Sequence, residues 1–110
     1  MTDQELLEYA AKAVGFEYAS GYWLSIINDR FPNEKGSLYV RKAHDEYVEW
    51  NPLLSDADAF GLMVDLNLTE KHSFLDKLHE ENTTWAPDYR KAHRRAIVRA
   101  AAEIGRNMTE

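Results

Sequence analysis

His72, Asp76, His79 and Glu80 have the types and spacing of metal ligands: on a helix they share a face, and zinc accepts both imidazole and carboxylate. Lys71, Lys77 and Glu81 interleave with them, and that mixture is also the composition of an ordinary solvated face. His44-Asp45-Glu46 sets an acid beside a base, which is useful chemistry only if the triplet lines a pocket; otherwise it is a polar turn. Asp56 and Asp58 stand in the first turn of a helix, where the dipole favours negative charge, so capping accounts for them without catalysis. No glycine-rich phosphate loop and no serine or threonine nucleophile context occurs. The lack of cysteine removes thiol nucleophiles, zinc-thiolate sites and disulfides, and suits a reducing compartment. The expectation is therefore no catalytic residue, no metal and no cofactor, with a small enzyme or metal-binding protein as an alternative.

A stronger signal lies in the charge distribution. Net charge is −6, yet residues 1–87 hold 7 Lys/Arg and 16 Asp/Glu, a balance of −9, while residues 88–110 hold 6 and 3, a balance of +3. Lys91, Arg95 and Arg99 recur every four residues with Arg90 and Arg94 beside them, and these five are the candidate partner-binding residues. Such a row can track phosphates with steep salt dependence, meet an acidic protein, or balance acidic surface within the fold or an oligomer. A dedicated nucleic-acid module usually has a basic domain, whereas this chain is acidic overall. Its carboxylates are interleaved with apolar residues and lysines, which also argues against imitation of DNA charge. Tyr18, Tyr22, Trp23, Phe31, Tyr39, Tyr47, Trp50 and Trp85 either fill the core or supply an interface. The preferred partner is a protein or a second copy of the chain, with nucleic acid as the alternative and no membrane.

The elements that must position these residues can be read in order. A chain of 110 residues suits one domain, 1–110, with one core. The acidic Met-Thr-Asp-Gln-Glu start lacks the positive charge of a secretory signal, and no apolar run approaches a membrane span, so a soluble cytoplasmic protein is expected. Thr2-Asp3-Gln4-Glu5 is a capping box, and apolar spacing predicts a helix over 3–14 that ends at Gly15 with Phe16 folded back. Strands are predicted at about 21–27, at 38–41 and at 46–50, with a turn-rich loop at 28–36, giving a three-stranded antiparallel meander. In the third strand, alternation would set Tyr47 and Glu49 opposite Val48 and Trp50.

Pro52 stops the third strand, and Ser55 with Asp58 opens a helix in which Phe60 and Val64 broaden the Ala59, Leu62, Met63 and Leu66 face, so it reads as largely buried. Residues 69–86 are open between a helix carrying Phe74, Leu75 and Leu78 inward and short strands suggested by Thr83, Thr84 and Trp85. Pro87 or Asp88 opens the last helix, whose stripe of Ala92, Ala96, Ile97, Ala100, Ala101 and Ile104 permits close approach. The predicted fold is α+β, a small antiparallel sheet with helices packed around it as a layered α/β/α sandwich.

Two blocks carry a resemblance. Trp50-Asn51-Pro52-Leu53 with Ser55-Asp56-Ala57-Asp58-Ala59, and Arg94-Arg95-Ala96-Ile97-Val98-Arg99-Ala100-Ala101-Ala102-Glu103-Ile104-Gly105, resemble the phage ABA-sandwich domain, a family of small proteins of tailed bacteriophages and prophages. The N-terminal Leu-Leu-Glu-x-Ala-Ala-Lys-Ala helix is similar as well, so the likeness touches about half the chain. The resemblance implies helix-sheet-helix layering and an accessory protein in the cytoplasm of a bacterial host, and it brings no catalytic residues. The function expected is a non-catalytic protein-interaction or self-associating module.

Overall fold

The computed structural model describes residues 1–20, 38–41 and 47–108. Among these, four α-helices occur: α1 Asp3–Ala13, α2 Asp56–Asp65, α3 His72–Trp85 and α4 Tyr89–Met108, with one 3-10 turn at Leu68–Glu70. Strands β1 Glu17–Ser20, β2 Leu38–Arg41 and β3 Val48–Glu49 form an antiparallel sheet in the order β1-β2-β3. The fold is α+β, a small sheet with helices packed around it.

Local chemistry sets the ends of α1. The Glu5 N–H donates to Thr2 Oγ1 at 3.1 Å while Glu5 Oε1 accepts from the Thr2 N–H at 3.2 Å, which completes the capping box. At the other end Gly15 takes φ +79°, where a side chain would be strained. The Phe16 N–H reaches the Ala11 carbonyl and the Gly15 N–H that of Lys12, each at 3.0 Å. This turn feeds the chain straight into β1, so the first strand begins at Glu17 rather than near residue 21. The predicted tract 21–27 and the loop 28–36 lie outside the described residues. Glu17 is paired with Arg41 across the sheet both in backbone register and as an ion pair. In β3 the expected alternation fails at one residue: Trp50 is buried, but Val48 is exposed, because it stands over a cavity rather than in the core.

Between β3 and α2 the chain turns a corner built on Asn51. Its side-chain oxygen accepts from the Leu53 N–H at 3.1 Å, and its carbonyl accepts from the N–H groups of Leu54 and Ser55. Ser55 Oγ caps the Asp58 N–H at 3.2 Å, as expected. The reciprocal half of the box reaches further back: Asp58 Oδ2 accepts from the Asn51 N–H at 3.0 Å. The expectation that α2 is largely buried is overturned. Ala59 and Leu62 are buried and Met63 and Leu66 pack against the core, but Phe60 and Val64 stand exposed, since no described element covers that flank.

Residues 69–86 are helical after their first turn. Within α3, Thr83 and Thr84 satisfy their hydroxyls by donating them to the carbonyls of His79 and Glu80, four residues back, at 3.0 and 3.1 Å. α4 opens on Asp88, whose Oδ1 accepts from the Lys91 N–H at 3.1 Å. Its buried face is almost wholly small: Ala92, Ala96, Ala100, Ala101, Ala102 and Gly105. Against it α1 sets Ala10 and Ala11, both fully buried. At Gly105 the approach leaves no room for a side chain, for a Cβ there would sit 1.8 Å from the Tyr9 carbonyl oxygen.

The two helical glycines should therefore respond oppositely to alanine. Gly105→Ala must push α1 and α4 apart and is expected to cost about 2–3 kcal/mol, roughly 10 °C in Tm or more. Gly61→Ala meets nothing within 4 Å and should gain about 0.5–1 kcal/mol from helix propensity. Thermal melts of both variants by circular dichroism check the pair.

Candidate protein-interaction surface

α4 presents its cations in two groups. Lys91, Arg95 and Arg99 run along α3. Lys91 Nζ sits 3.6 Å above the Trp85 ring, a cation–π contact that also explains why this tryptophan is only half-buried yet not free. Glu81, a buried carboxylate, accepts from the Trp85 indole N–H at 2.7 Å and from Arg99 Nη1 at 3.2 Å, with Arg95 Nε 3.9 Å away. Arg99 also reaches Glu80 at 3.0 Å, and Arg95 reaches Asp3 of α1 at 3.3 Å. One turn further along, Lys77 Nζ donates to Glu103 Oε2 at 2.5 Å and to Ser73 Oγ at 2.8 Å. The Lys77 hydrogen bond outweighs partial burial and holds the Glu103 carboxyl below the ordinary glutamate range.

The second group faces the corner. Arg94, with its side chain 17% exposed, donates from Nε to the Leu53 carbonyl at 2.9 Å and from Nη1 to Asp56 Oδ1 at 2.7 Å. It thus ties α4 to the corner, and it brings together the two sequence blocks that carry the resemblance. Arg90 differs: its side chain is 84% exposed, and its contact with Asp56 is a long 3.5 Å. Of the five candidate residues, it is the one whose charge is least engaged.

Between α2 and α4 lies an apolar groove of about 350 Å³. Ala59 and Ile97, both buried, form its floor, and Phe60, Met63 and Tyr89 its walls. Asp56, Arg90, His93 and Arg94 complete the lining with polar groups. His93 Nδ1 donates to the Tyr89 carbonyl at 2.7 Å, which orients the ring along the helix. Phe60 and Tyr89 are 60% and 54% exposed, and Val64, one turn beyond Phe60, is exposed too. Large apolar groups grouped in this way on a surface mark a contact site more than scattered ones do.

Tyr89 is not named from the sequence, and Phe60 is read there as part of the buried α2 face rather than as a contact residue. The available signal was the excess width of the α2 apolar face, which one packing partner cannot cover. The aromatic residues named instead have other places. Tyr39 and Trp50 are core, Tyr47 lies 4.9 Å beneath the Arg41 guanidinium, and Tyr18 is exposed on β1. Tyr22, Trp23 and Phe31 lie outside the described residues, as does the His44-Asp45-Glu46 triplet. His72, Asp76, His79 and Glu80 are all exposed on α3, with Glu80 paired to Arg99, and among the described residues no group of three or more His, Asp or Glu could hold a metal ion. No described helix is long and apolar enough to cross a membrane. Comparison with protein-family models, curated proteins and solved structures finds no match for this chain.

Two predictions follow the ion pairs. Glu81→Ala leaves the Trp85 indole and two guanidinium groups without their shared acceptor, and should cost about 2 kcal/mol in a urea melt. Glu103→Gln tests the lowered carboxyl. Because its folded-state pKa is depressed, its contribution is complete above the unfolded-state value and is lost as pH falls through the lower folded-state one. The variant should be less stable than wild type at neutral pH, by under about 1 kcal/mol since the Glu103 side chain is half exposed, and the gap should close in acid.

Proposed function

We propose that this chain is a non-catalytic protein-interaction module that self-associates through the α2–α4 groove. The observation that carries the reading is the pairing, on one surface, of exposed apolar walls with an under-engaged cation and its carboxylate. Phe60 and Tyr89 supply an apolar centre, and Arg90 and Asp56 flank it. A two-fold axis through the groove sets Arg90 of each copy against Asp56 of the other, so the patch is complementary to itself. Aromatic centres with arginine nearby are the composition on which protein interfaces rely.

The likeness of blocks 50–59 and 94–105 to phage ABA-sandwich proteins supports placing the chain among phage or prophage accessory proteins, working in the host cytoplasm. A nucleic-acid surface is the weaker alternative, because Arg94, Arg95 and Arg99 already hold carboxylates and a phosphate would have to displace them.

Phe60→Asp tests the proposal. The wild-type chain should show a mass above the monomer by light scattering at high micromolar concentration. The variant should remain monomeric with a melting curve within about 0.5 kcal/mol of wild type, as expected of an exposed position. A wild-type monomer across that range overturns self-association, and duplex DNA binding that falls steeply with salt would replace it with the nucleic-acid reading.

A further inference from the structure

On its other flank α2 faces the sheet across a cavity of about 360 Å³, at the small end of the range for ligand pockets. It shares no lining residue with the α2–α4 groove. Two aromatic walls bound it, Phe16 and Trp50, with ring centroids 5.8 Å apart and planes at 78°. Val40 and Leu62, both buried, form an apolar floor.

Among the described residues, the charged groups that line this cavity are the carboxylates Glu49, Asp58 and Asp65, with no lysine or arginine beside them. Asp58 is fixed by the Asn51 N–H, while Glu49 and Asp65 have no ion-pair partner among the described residues. An acidic cluster alone would suit only a loosely held hydrated ion. Here the rings and the apolar floor add what an ammonium group on a hydrocarbon stem uses, a π face for the cation and a dry surface for the stem.

Gly61 keeps the space open. It sits in mid-helix without a positive φ, so the backbone places no demand for glycine there. It lines the cavity, and a Cβ at this position would touch nothing within 4 Å. A helix-interior glycine is destabilising, which leaves access to the cavity as the feature that its lack of a side chain serves.

We infer that this cavity binds a small organic cation, an ammonium group carried on an aliphatic or aromatic stem. The stem lies on Val40 and Leu62, the cation meets the Phe16 and Trp50 rings, and Glu49 and Asp65 attract it from the mouth. The site is independent of the groove, so either can fail without the other.

The test is a titration of the full chain with benzyltrimethylammonium chloride, read from the amide resonances of Glu49, Gly61 and Asp65, with benzyl alcohol as the uncharged comparator. Saturable shifts are expected, with the cation binding about tenfold tighter than the alcohol. Glu49→Gln combined with Asp65→Asn should remove most of that preference without removing the weak binding of the alcohol. Gly61→Leu should abolish saturable shifts for both compounds while keeping the wild-type circular dichroism spectrum, since the new side chain enters open space. Equal affinity for cation and alcohol, undiminished binding in a folded Gly61→Leu chain, or no saturable shift up to tens of millimolar (roughly the weakest useful range) would each overturn the inference.

Discussion

The structure depends on how closely α1 and α4 approach. With Gly105 against the Tyr9 carbonyl, and Ala10 and Ala11 against an alanine-rich face, the two backbones sit nearer than helices carrying leucine or phenylalanine would allow. Small residues bury little apolar area each, so the contact gains through many close dispersion contacts rather than large side chains. The larger apolar groups are consequently used elsewhere: Trp50, Leu53, Leu62, Leu68 and Phe74 belong to the remainder of the same core.

Close approach along one face of α4 dictates what its other faces can do. Arg95 is brought within reach of Asp3 on α1 and Glu81 on α3, and Arg99 within reach of Glu80 and Glu81. Most of the cations of α4 are therefore engaged by carboxylates of the same chain, while the acidic body keeps its excess of negative charge. The least engaged of the five candidate cations, Arg90, lies near the N-terminus of α4, where Tyr89 and His93 line the groove beside the exposed flank of α2. The functional proposal rests on that groove, not on the number of basic residues.

Features governed by neighbours in sequence were legible in advance. The capping box at Thr2, the glycine turn at Gly15, strand Leu38–Arg41, the Ser55 cap and the alanine stripe of α4 each depend on residues within a few positions. Features governed by distant partners were not. Thr83, Thr84 and Trp85 favour strands on propensity, and tertiary packing overrides it: α3 packs along α4, and the tryptophan is held between Glu81 and Lys91. Periodicity placed Phe60 and Val64 on a broad apolar face, but periodicity cannot say how much of such a face another element covers. The same limit hid the groove, since Tyr89 becomes part of a surface only when α4 lies beside α2.

The position of α2 follows from how its ends are held. Its fully buried residues are only Ala59 and Leu62, too little apolar area to fix a helix by packing alone. At its N-terminus, Ser55 caps the helix, Asp58 grips the Asn51 backbone, and Arg94 joins Leu53 and Asp56 to α4. At its C-terminus the chain passes through Leu66 into the buried Leu68. A helix anchored at both ends in this way need not be covered along its length. That is why α2 can border an apolar groove on one flank and an acidic, aromatic-walled cavity on the other, and why Arg94, although it lines the groove, is tied first to the corner that holds both flanks in place.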